Sequence, residues 1–137
     1  MRIFLDANIL FSAARADGAT RQLLYLLQST GHALVADDYV AAEAHRNLAA
    51  KEGDQAVEDL QTLLEVVEVA SVNVHADSAG AAGWLPAKDQ PVLLAAIALR
   101  CEALVTGDRT HFGAGYGKTW AGVTVYSPAL LAKALLS

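Results

Sequence analysis

Short apolar runs that alternate with segments of helical periodicity are the feature that most restricts how this chain can fold. The run at residues 2–5 is too apolar for a strand with one face in water, so we predict a strand that is buried on both faces. Similar runs recur along the chain, and helical segments separate them. Strands that are joined through helices form right-handed crossovers. The pattern therefore predicts an α/β fold with a mostly parallel sheet and helices on both of its faces.

The predicted elements follow from periodicity, capping residues and glycine or proline breaks. Strands are predicted at Arg2–Leu5, Ala33–Ala36, Val66–Val74, Ala103–Thr106 and Gly122–Tyr126. Helices are predicted at Ala7–Ala14, Ala19–Gln28, Tyr39–Lys51, Gln55–Leu64, Asp89–Leu99 and Pro128–Leu136. Residues 76–88 are ambiguous and fit a short helix and a loop that ends at Pro86, and the glycine-rich segment Gly113–Gly117 is predicted as a loop.

Composition is consistent with one domain that spans residues 1–137. Hydrophobic residues make up 54% of the chain, which is enough for a single core and argues against disorder. The one cysteine, Cys101, cannot form an internal disulfide, and its apolar surroundings favour a buried structural thiol over a nucleophile. We see no convincing signal peptide and no apolar run of roughly 18 residues. We therefore expect a cytoplasmic protein without a membrane partner.

Four acidic residues stand where the predicted topology would gather them. Asp6 directly follows the first strand and Asp108 closely follows the fourth, so both fall at the carboxyl edge of the sheet, where ligands bind in such folds. Glu43 lies about one turn into the helix after the second strand, and Asp89 begins another helix. Three of the acids also have a structural explanation: Asp89 can cap its helix, Glu43 can be solvated, and Asp108 can belong to a turn. Asp6 is harder to explain in this way, because the run before it is apolar enough to be buried.

Carboxylates that follow buried strands need a positive partner, and the simplest is a divalent metal ion. Mg²⁺ and Mn²⁺ prefer oxygen ligands, and one or two such ions promote phosphate-ester hydrolysis without a protein nucleophile. The sequence offers no plausible Ser-His-Asp or Cys-His arrangement, and its four histidines have no zinc-like spacing. Asn8 and Thr106 add neutral oxygens that can orient carboxylates or waters, although Asn8 can instead cap the first helix and Thr106 can be an ordinary strand residue.

The formal charge of −5 weakens a nucleic-acid interpretation without excluding it. Neutralising the four named acids takes that charge from −5 to −1, so most of the excess belongs to the predicted site. Arginine and lysine side chains elsewhere are available for phosphates. Trp84 and Trp120 can stack on bases, although packing within the protein is the simpler interpretation.

Several segments together resemble the PIN-domain nucleases, and the resemblance covers nearly the whole chain. Segments similar to the family's acidic motifs occur in the family's order, at Phe4–Leu10, Val40–Leu48, Lys88–Ala96 and Leu104–Asp108. The closing segment Val125–Leu131 also resembles one bacterial branch, whose members are described as toxins of toxin–antitoxin pairs. Each motif alone is weak, whereas their order and spacing together are specific.

The resemblance implies a three-layer α/β/α sandwich and Mg²⁺- or Mn²⁺-dependent cleavage of RNA. It implies that Asp6, Glu43, Asp89 and Asp108 bind the metal and carry catalysis. It further suggests a homodimer and, as in VapC-type toxins, a small antitoxin that blocks the site. Three alternatives stay open: an RNA-processing nuclease without an antitoxin, a non-catalytic module that binds RNA or protein, and a phosphohydrolase of small molecules.

Overall fold

A six-stranded sheet forms the centre of the fold in a computed structural model that describes residues 1–73, 77 and 80–136. The strands are β1 (Arg2–Leu5), β2 (Ala33–Asp37), β3 (Val67–Ala70), β4 (Ala103–Val105), β5 (Thr119–Trp120) and β6 (Val123–Tyr126). Their order is β3-β2-β1-β4-β6-β5, and every pairing is parallel except that of β5 with β6. The predicted mostly parallel sheet is therefore confirmed.

Seven α-helices connect or follow these strands within the described residues. They are α1 (Ala7–Arg15), α2 (Ala19–Ser29), α3 (Asp38–Lys51), α4 (Asp54–Leu64), α5 (Gln90–Ala98), α6 (Arg109–Phe112) and α7 (Pro128–Leu136). A 3₁₀ turn at Gly113–Gly115 follows α6. None of the helices in the described part of the chain is long and apolar enough to cross a membrane.

Helices cover both faces of the sheet, which is why the central strands contain so few polar residues. Ile3, Phe4 and Leu5 on β1 are each 0% exposed. Successive side chains of a strand point to opposite faces, so complete burial of three in a row requires cover on both sides. The predicted α/β/α sandwich is confirmed, with β1 beside β2 and β4 in the middle of the sheet.

The predicted strand at Val66–Val74 was too long. β3 spans only Val67–Ala70, residues 71–73 are irregular, and Val74 lies outside the described residues. The reason lies in the neighbouring strand, because β3 pairs only with β2 and β2 ends at Asp37, opposite Ala70. Beyond that point an edge strand has no partner. Of the ambiguous segment 76–88, the described part forms turns without a helix.

The loop predicted at Gly113–Gly117 is more structured than expected. It contains the 3₁₀ turn, and β5 then pairs with β6 through a two-residue turn at Ala121 and Gly122, whose φ angles are 48° and 85°. Trp120 on β5 stacks on Trp84 with ring centroids 4.3 Å apart. The tryptophans thus pack against each other, as the simpler interpretation held.

Candidate active site

The four predicted acids converge at the carboxyl edge of the sheet. Asp6 follows β1, Asp108 follows β4, Glu43 lies on α3, and Asp89 directly precedes α5. All four line one cleft of about 270 Å³. Its other lining residues are Asn8, Phe11, Tyr39, Asn47, Lys51, Lys88 and Val92. The structure therefore brings together every acid that the sequence singled out, while their catalytic role stays a prediction.

Asp6 is the most deeply buried of the four acids, with 5% of its surface exposed. Its Oδ1 accepts a hydrogen bond from the backbone N–H of Ala7 (2.7 Å), and its Oδ2 accepts one from the Thr106 hydroxyl (2.8 Å). Burial nevertheless raises the pKa of this carboxyl to about 6, and the nearby charges of Glu43 and Asp89 add to the rise. A bound cation would stabilise the ionised Asp6 carboxylate, because it offsets both the burial and the repulsion from Glu43 and Asp89.

Asn8 and Thr106 fasten Asp6 to the end of β4. The Asn8 amide N–H₂ donates to Asp6 Oδ2 and to Thr106 Oγ1, both at 3.2 Å, and the backbone N–H of Gly107 donates to Asn8 Oδ1 at 2.7 Å. Thr106 is fully buried, and its Oγ1 also accepts from the backbone N–H of Asp108 at 3.2 Å. The structure places both polar residues beside Asp6, and their support of a metal ligand stays a prediction.

Thr106→Val is expected to raise the pKa of Asp6 above its value of about 6, because the Thr106 hydrogen bond favours the charged carboxylate. Loss of that buried bond should also lower the free energy of unfolding by about 1–3 kcal/mol. Titration of carboxyl ¹³C shifts in metal-free protein measures the pKa. Thr124→Val is the matched control, since the Thr124 hydroxyl meets only that of Thr119 among the hydrogen bonds described. An unchanged pKa of Asp6 in Thr106→Val would contradict the prediction.

Asp89 occupies the N-cap position of α5 without acting as a cap. Its side chain makes no capping hydrogen bond, and its Oδ2 is buried and lacks a hydrogen-bond partner among the described residues. Burial raises its pKa, which Lys88 and His111 oppose. The helix-capping explanation of Asp89 is therefore not realised. Asp108 does cap α6, because its Oδ1 accepts from the backbone N–H of His111 at 3.2 Å.

A third side chain joins Asp89 and Asp108. His111 Nδ1 lies 3.0 Å from Asp89 Oδ2 and 2.8 Å from Asp108 Oδ2. Both contacts are at ion-pair distance, although neither meets the criteria of a hydrogen bond within the described structure. Ligand atoms of the three residues all lie within 4.8 Å of one another. Two buried polar atoms without partners and a carboxylate-rich donor set fit a divalent cation.

The sequence assigned no role to His111, whose ring lies beside two acids of this cleft. His111 could have been found from its i+3 spacing to Asp108, which places both on one side of a short helix. Lys51 and Lys88 supply positive charge at the rim, and Lys51 Nζ lies 5.8 Å from the centre of the Phe11 ring. Cys101 is buried as predicted, and burial raises its thiol pKa to about 11, far from that of a nucleophile.

Comparison with known proteins identifies a family and a set of similar folds. A family model described as "PIN domain" matches residues 2–110. No curated protein matches the sequence. A chain of VapBC2 from Rickettsia felis, solved with a DNA fragment from its promoter, has a TM-score of 0.68 at 19% identity, over 93% of this chain and 98% of that one.

Two further structures share the fold. VapC20 from Mycobacterium tuberculosis, described as a toxin that cleaves the sarcin-ricin loop, has a TM-score of 0.60 at 17% identity, over 86% of this chain and 98% of that one. VapBC-1 from nontypeable Haemophilus influenzae has a TM-score of 0.61 at 16% identity, over 94% and 99% of the two chains. At these identities the likeness is one of fold.

Proposed function

Because the chain belongs to the PIN-domain family, we propose that it is a metal-dependent endoribonuclease, the toxin component of a toxin–antitoxin pair. The observation that carries this proposal is the convergence of Asp6, Glu43, Asp89 and Asp108 in one cleft at the carboxyl edge of the sheet. Burial raises the pKa of Asp6 and of Asp89, so their ionised forms carry a free-energy penalty at neutral pH, and a bound cation offsets it. One domain spanning residues 1–137 supplies the whole site.

Each group in the cleft has a proposed task. The four carboxylates would hold one or two Mg²⁺ or Mn²⁺ ions, which when bound would lower the pKa of a water molecule and stabilise charge on the scissile phosphate. Asp6 is kept in one orientation by Thr106 and Asn8. Glu43 is half-buried on α3 and faces the same cleft, where its carboxylate can accept a proton from the attacking water.

RNA is the proposed substrate because the rim of the cleft combines positive and aromatic side chains. Lys51 and Lys88 can meet phosphates on either side of the scissile bond. Tyr39 is 45% exposed at the same rim and can stack on an unpaired base. Stacking requires a splayed base, which favours single-stranded segments or loops over continuous duplex.

The toxin role is supported by the structural neighbours. Two of them are VapBC structures and a third is described as a toxin. By analogy with VapC-type toxins, we propose a small antitoxin protein that blocks the cleft, and a homodimer as the active form. Because the proposed RNA substrate and the proposed antitoxin are both cytoplasmic, we also propose that this protein is cytoplasmic.

The proposed activity is tested by incubating RNA with purified protein in Mg²⁺ or Mn²⁺, with and without EDTA. We expect cleavage with either ion and none with EDTA, restored when excess metal is added back. Equal cleavage with and without EDTA would contradict metal dependence. Tight binding of RNA or of a partner protein without turnover would favour the non-catalytic module, and turnover of a phosphomonoester alone would favour a small-molecule phosphohydrolase.

A further inference from the structure

We infer that His111 is a nitrogen ligand of the divalent ion that Asp89 and Asp108 hold, and that this ligand makes the centre select Mn²⁺ over Mg²⁺. The inference rests on the proposed function, because it concerns the same cleft. It adds a residue outside the four acids and a selectivity that carboxylates alone do not supply.

The spacing of the three side chains is that of neighbouring ligands on one ion. In an octahedral site with bonds of about 2.1 Å, adjacent ligand atoms lie about 3 Å apart. His111 Nδ1 lies 3.0 Å from Asp89 Oδ2 and 2.8 Å from Asp108 Oδ2. Neither contact meets hydrogen-bond criteria, which fits atoms that face a common ion better than atoms that face each other.

Burial and backbone structure hold His111 at this point. Nδ1 of His111 and Oδ2 of Asp89 are both shielded from solvent and lack hydrogen-bond partners within the described residues. The two atoms lie 3.0 Å apart without a hydrogen bond between them, so a cation that both contact would satisfy both. The next residue, Phe112, is fully buried and packs edge-on against Trp84, which fixes α6 and the ring that it carries.

An imidazole ligand changes which ion the centre prefers. Mg²⁺ binds oxygen almost exclusively, whereas imidazole suits the first-row transition metals, and affinity for nitrogen-containing sites increases from Mn²⁺ onward. A centre made only of carboxylates would discriminate weakly between Mg²⁺ and Mn²⁺. With His111 as a ligand, we expect Mn²⁺ to bind at least about tenfold more tightly than Mg²⁺.

A different role for His111 would give different results. As a charged neighbour, a protonated His111 would neutralise Asp89 and Asp108 and compete with any cation. Its replacement would then increase the affinity for Mg²⁺ and Mn²⁺ alike. As a positioning residue for the carboxylates, its replacement would weaken both ions equally.

His111→Asn separates these roles, because the asparagine Oδ1 can take the place of Nδ1 and offers oxygen in place of nitrogen. Metal affinity is measured by calorimetric titration of the full chain with MnCl₂ or MgCl₂, without RNA. We expect Mn²⁺ affinity to fall at least about tenfold, since even outer partners of metal ligands are worth 10–100-fold, and Mg²⁺ affinity to change less than about threefold. Pulsed electron paramagnetic resonance of bound Mn²⁺ should show ¹⁴N modulation in the parent and none in His111→Asn.

Two controls make the outcome decisive. His45→Asn replaces an exposed histidine on α3 and should leave both affinities and the ¹⁴N signal unchanged. Asp89→Asn should abolish tight binding of both ions. If Asp89→Asn does so while His111→Asn alters neither affinity nor signal, the ligand role of His111 is wrong and the proposed function stands. If Asp89→Asn leaves metal binding intact, the proposed metal centre itself is wrong.

Discussion

Asp6→Asn is expected to lower the rate of metal-dependent RNA cleavage by about a thousandfold or more. Metal assistance is worth several kcal/mol of transition-state stabilisation, and each 1.36 kcal/mol corresponds to tenfold in rate. Asp6 is the acid that is most completely enclosed by protein, and the Thr106 and Asn8 side chains hold its oxygens in place. The asparagine side chain has the same shape as the Asp6 carboxylate but lacks its negative charge. Gel-based cleavage of RNA under single-turnover conditions measures the effect.

The same substitution should have opposite effects on stability at the two ends of the pH range. The folded-state pKa of Asp6, about 6, lies above its unfolded value of about 3.9, so the native state binds the proton more tightly. The contribution of Asp6 to the stability of the metal-free parent is therefore fully present below pH 4 and is lost as the pH rises through about 6. Two pKa units correspond to about 3 kcal/mol, which the neutral asparagine avoids.

Asparagine at position 6 also loses about one hydrogen bond. Its NH₂ group replaces a carboxylate oxygen that accepts hydrogen bonds in the parent, and an NH₂ group can only donate. That loss lowers stability by about 1 kcal/mol at any pH. Metal-free Asp6→Asn should thus be more stable than the parent by about 1–2 kcal/mol at pH 7.5 and less stable at pH 4. Urea denaturation in EDTA at both pH values tests this reversal. The idea of a strained carboxylate fails if the variant is less stable at both.

Phe112→Ala should reduce the free energy of unfolding by about 3–5 kcal/mol, which is the usual range for a buried phenylalanine. The Phe112 ring is completely buried and meets Trp84 edge-to-face with centroids 6.0 Å apart. Trp84 in turn leaves no room at Gly115, where an added Cβ would lie 2.4 Å from Trp84 Cη2. The neighbours therefore cannot easily collapse into the cavity that alanine would leave.

Urea denaturation in EDTA measures this effect apart from metal binding. Tyr25→Ala serves as the matched control, because Tyr25 is an exposed aromatic residue on α2 and its loss should change stability by less than about 0.5 kcal/mol. Phe112→Leu fills more of the cavity, so its loss of stability should lie between those of Phe112→Ala and Tyr25→Ala. A loss below about 1 kcal/mol in Phe112→Ala would show that α6 does not depend on this packing.

The sheet and its acidic edge could be predicted because they follow from local rules. Uninterrupted apolar runs indicate strands buried on both faces, and chain direction then places Asp6 and Asp108 at one edge. Glu43 and Asp89 had respectable structural explanations, and only tertiary structure shows that Asp89 does not cap its helix. Their grouping in one cleft was correct, and it depended more on the family resemblance.

Other features could not be predicted, since their signals are not local. The i+3 spacing links His111 to Asp108, but no local signal brings His111 to Asp89, because that contact depends on how α6 follows β4. β5 has only two residues, and its turn uses Ala121 with a positive φ, where asparagine or glycine is the usual signal. The length of β3 is set by where β2 ends, which is a property of the partner strand.

The hydrogen bond from Thr106 to Asp6 joins residues that are 100 positions apart in the sequence. During synthesis, β1 can pair with β2 early, but it can pair with β4 only after β4 has been made. Contacts of such long range in the sequence form late in folding. A nascent chain that has not yet released β4 from the ribosome has neither the sheet edge nor the assembled carboxylates. The proposed metal site is thus incomplete for most of the chain's own translation.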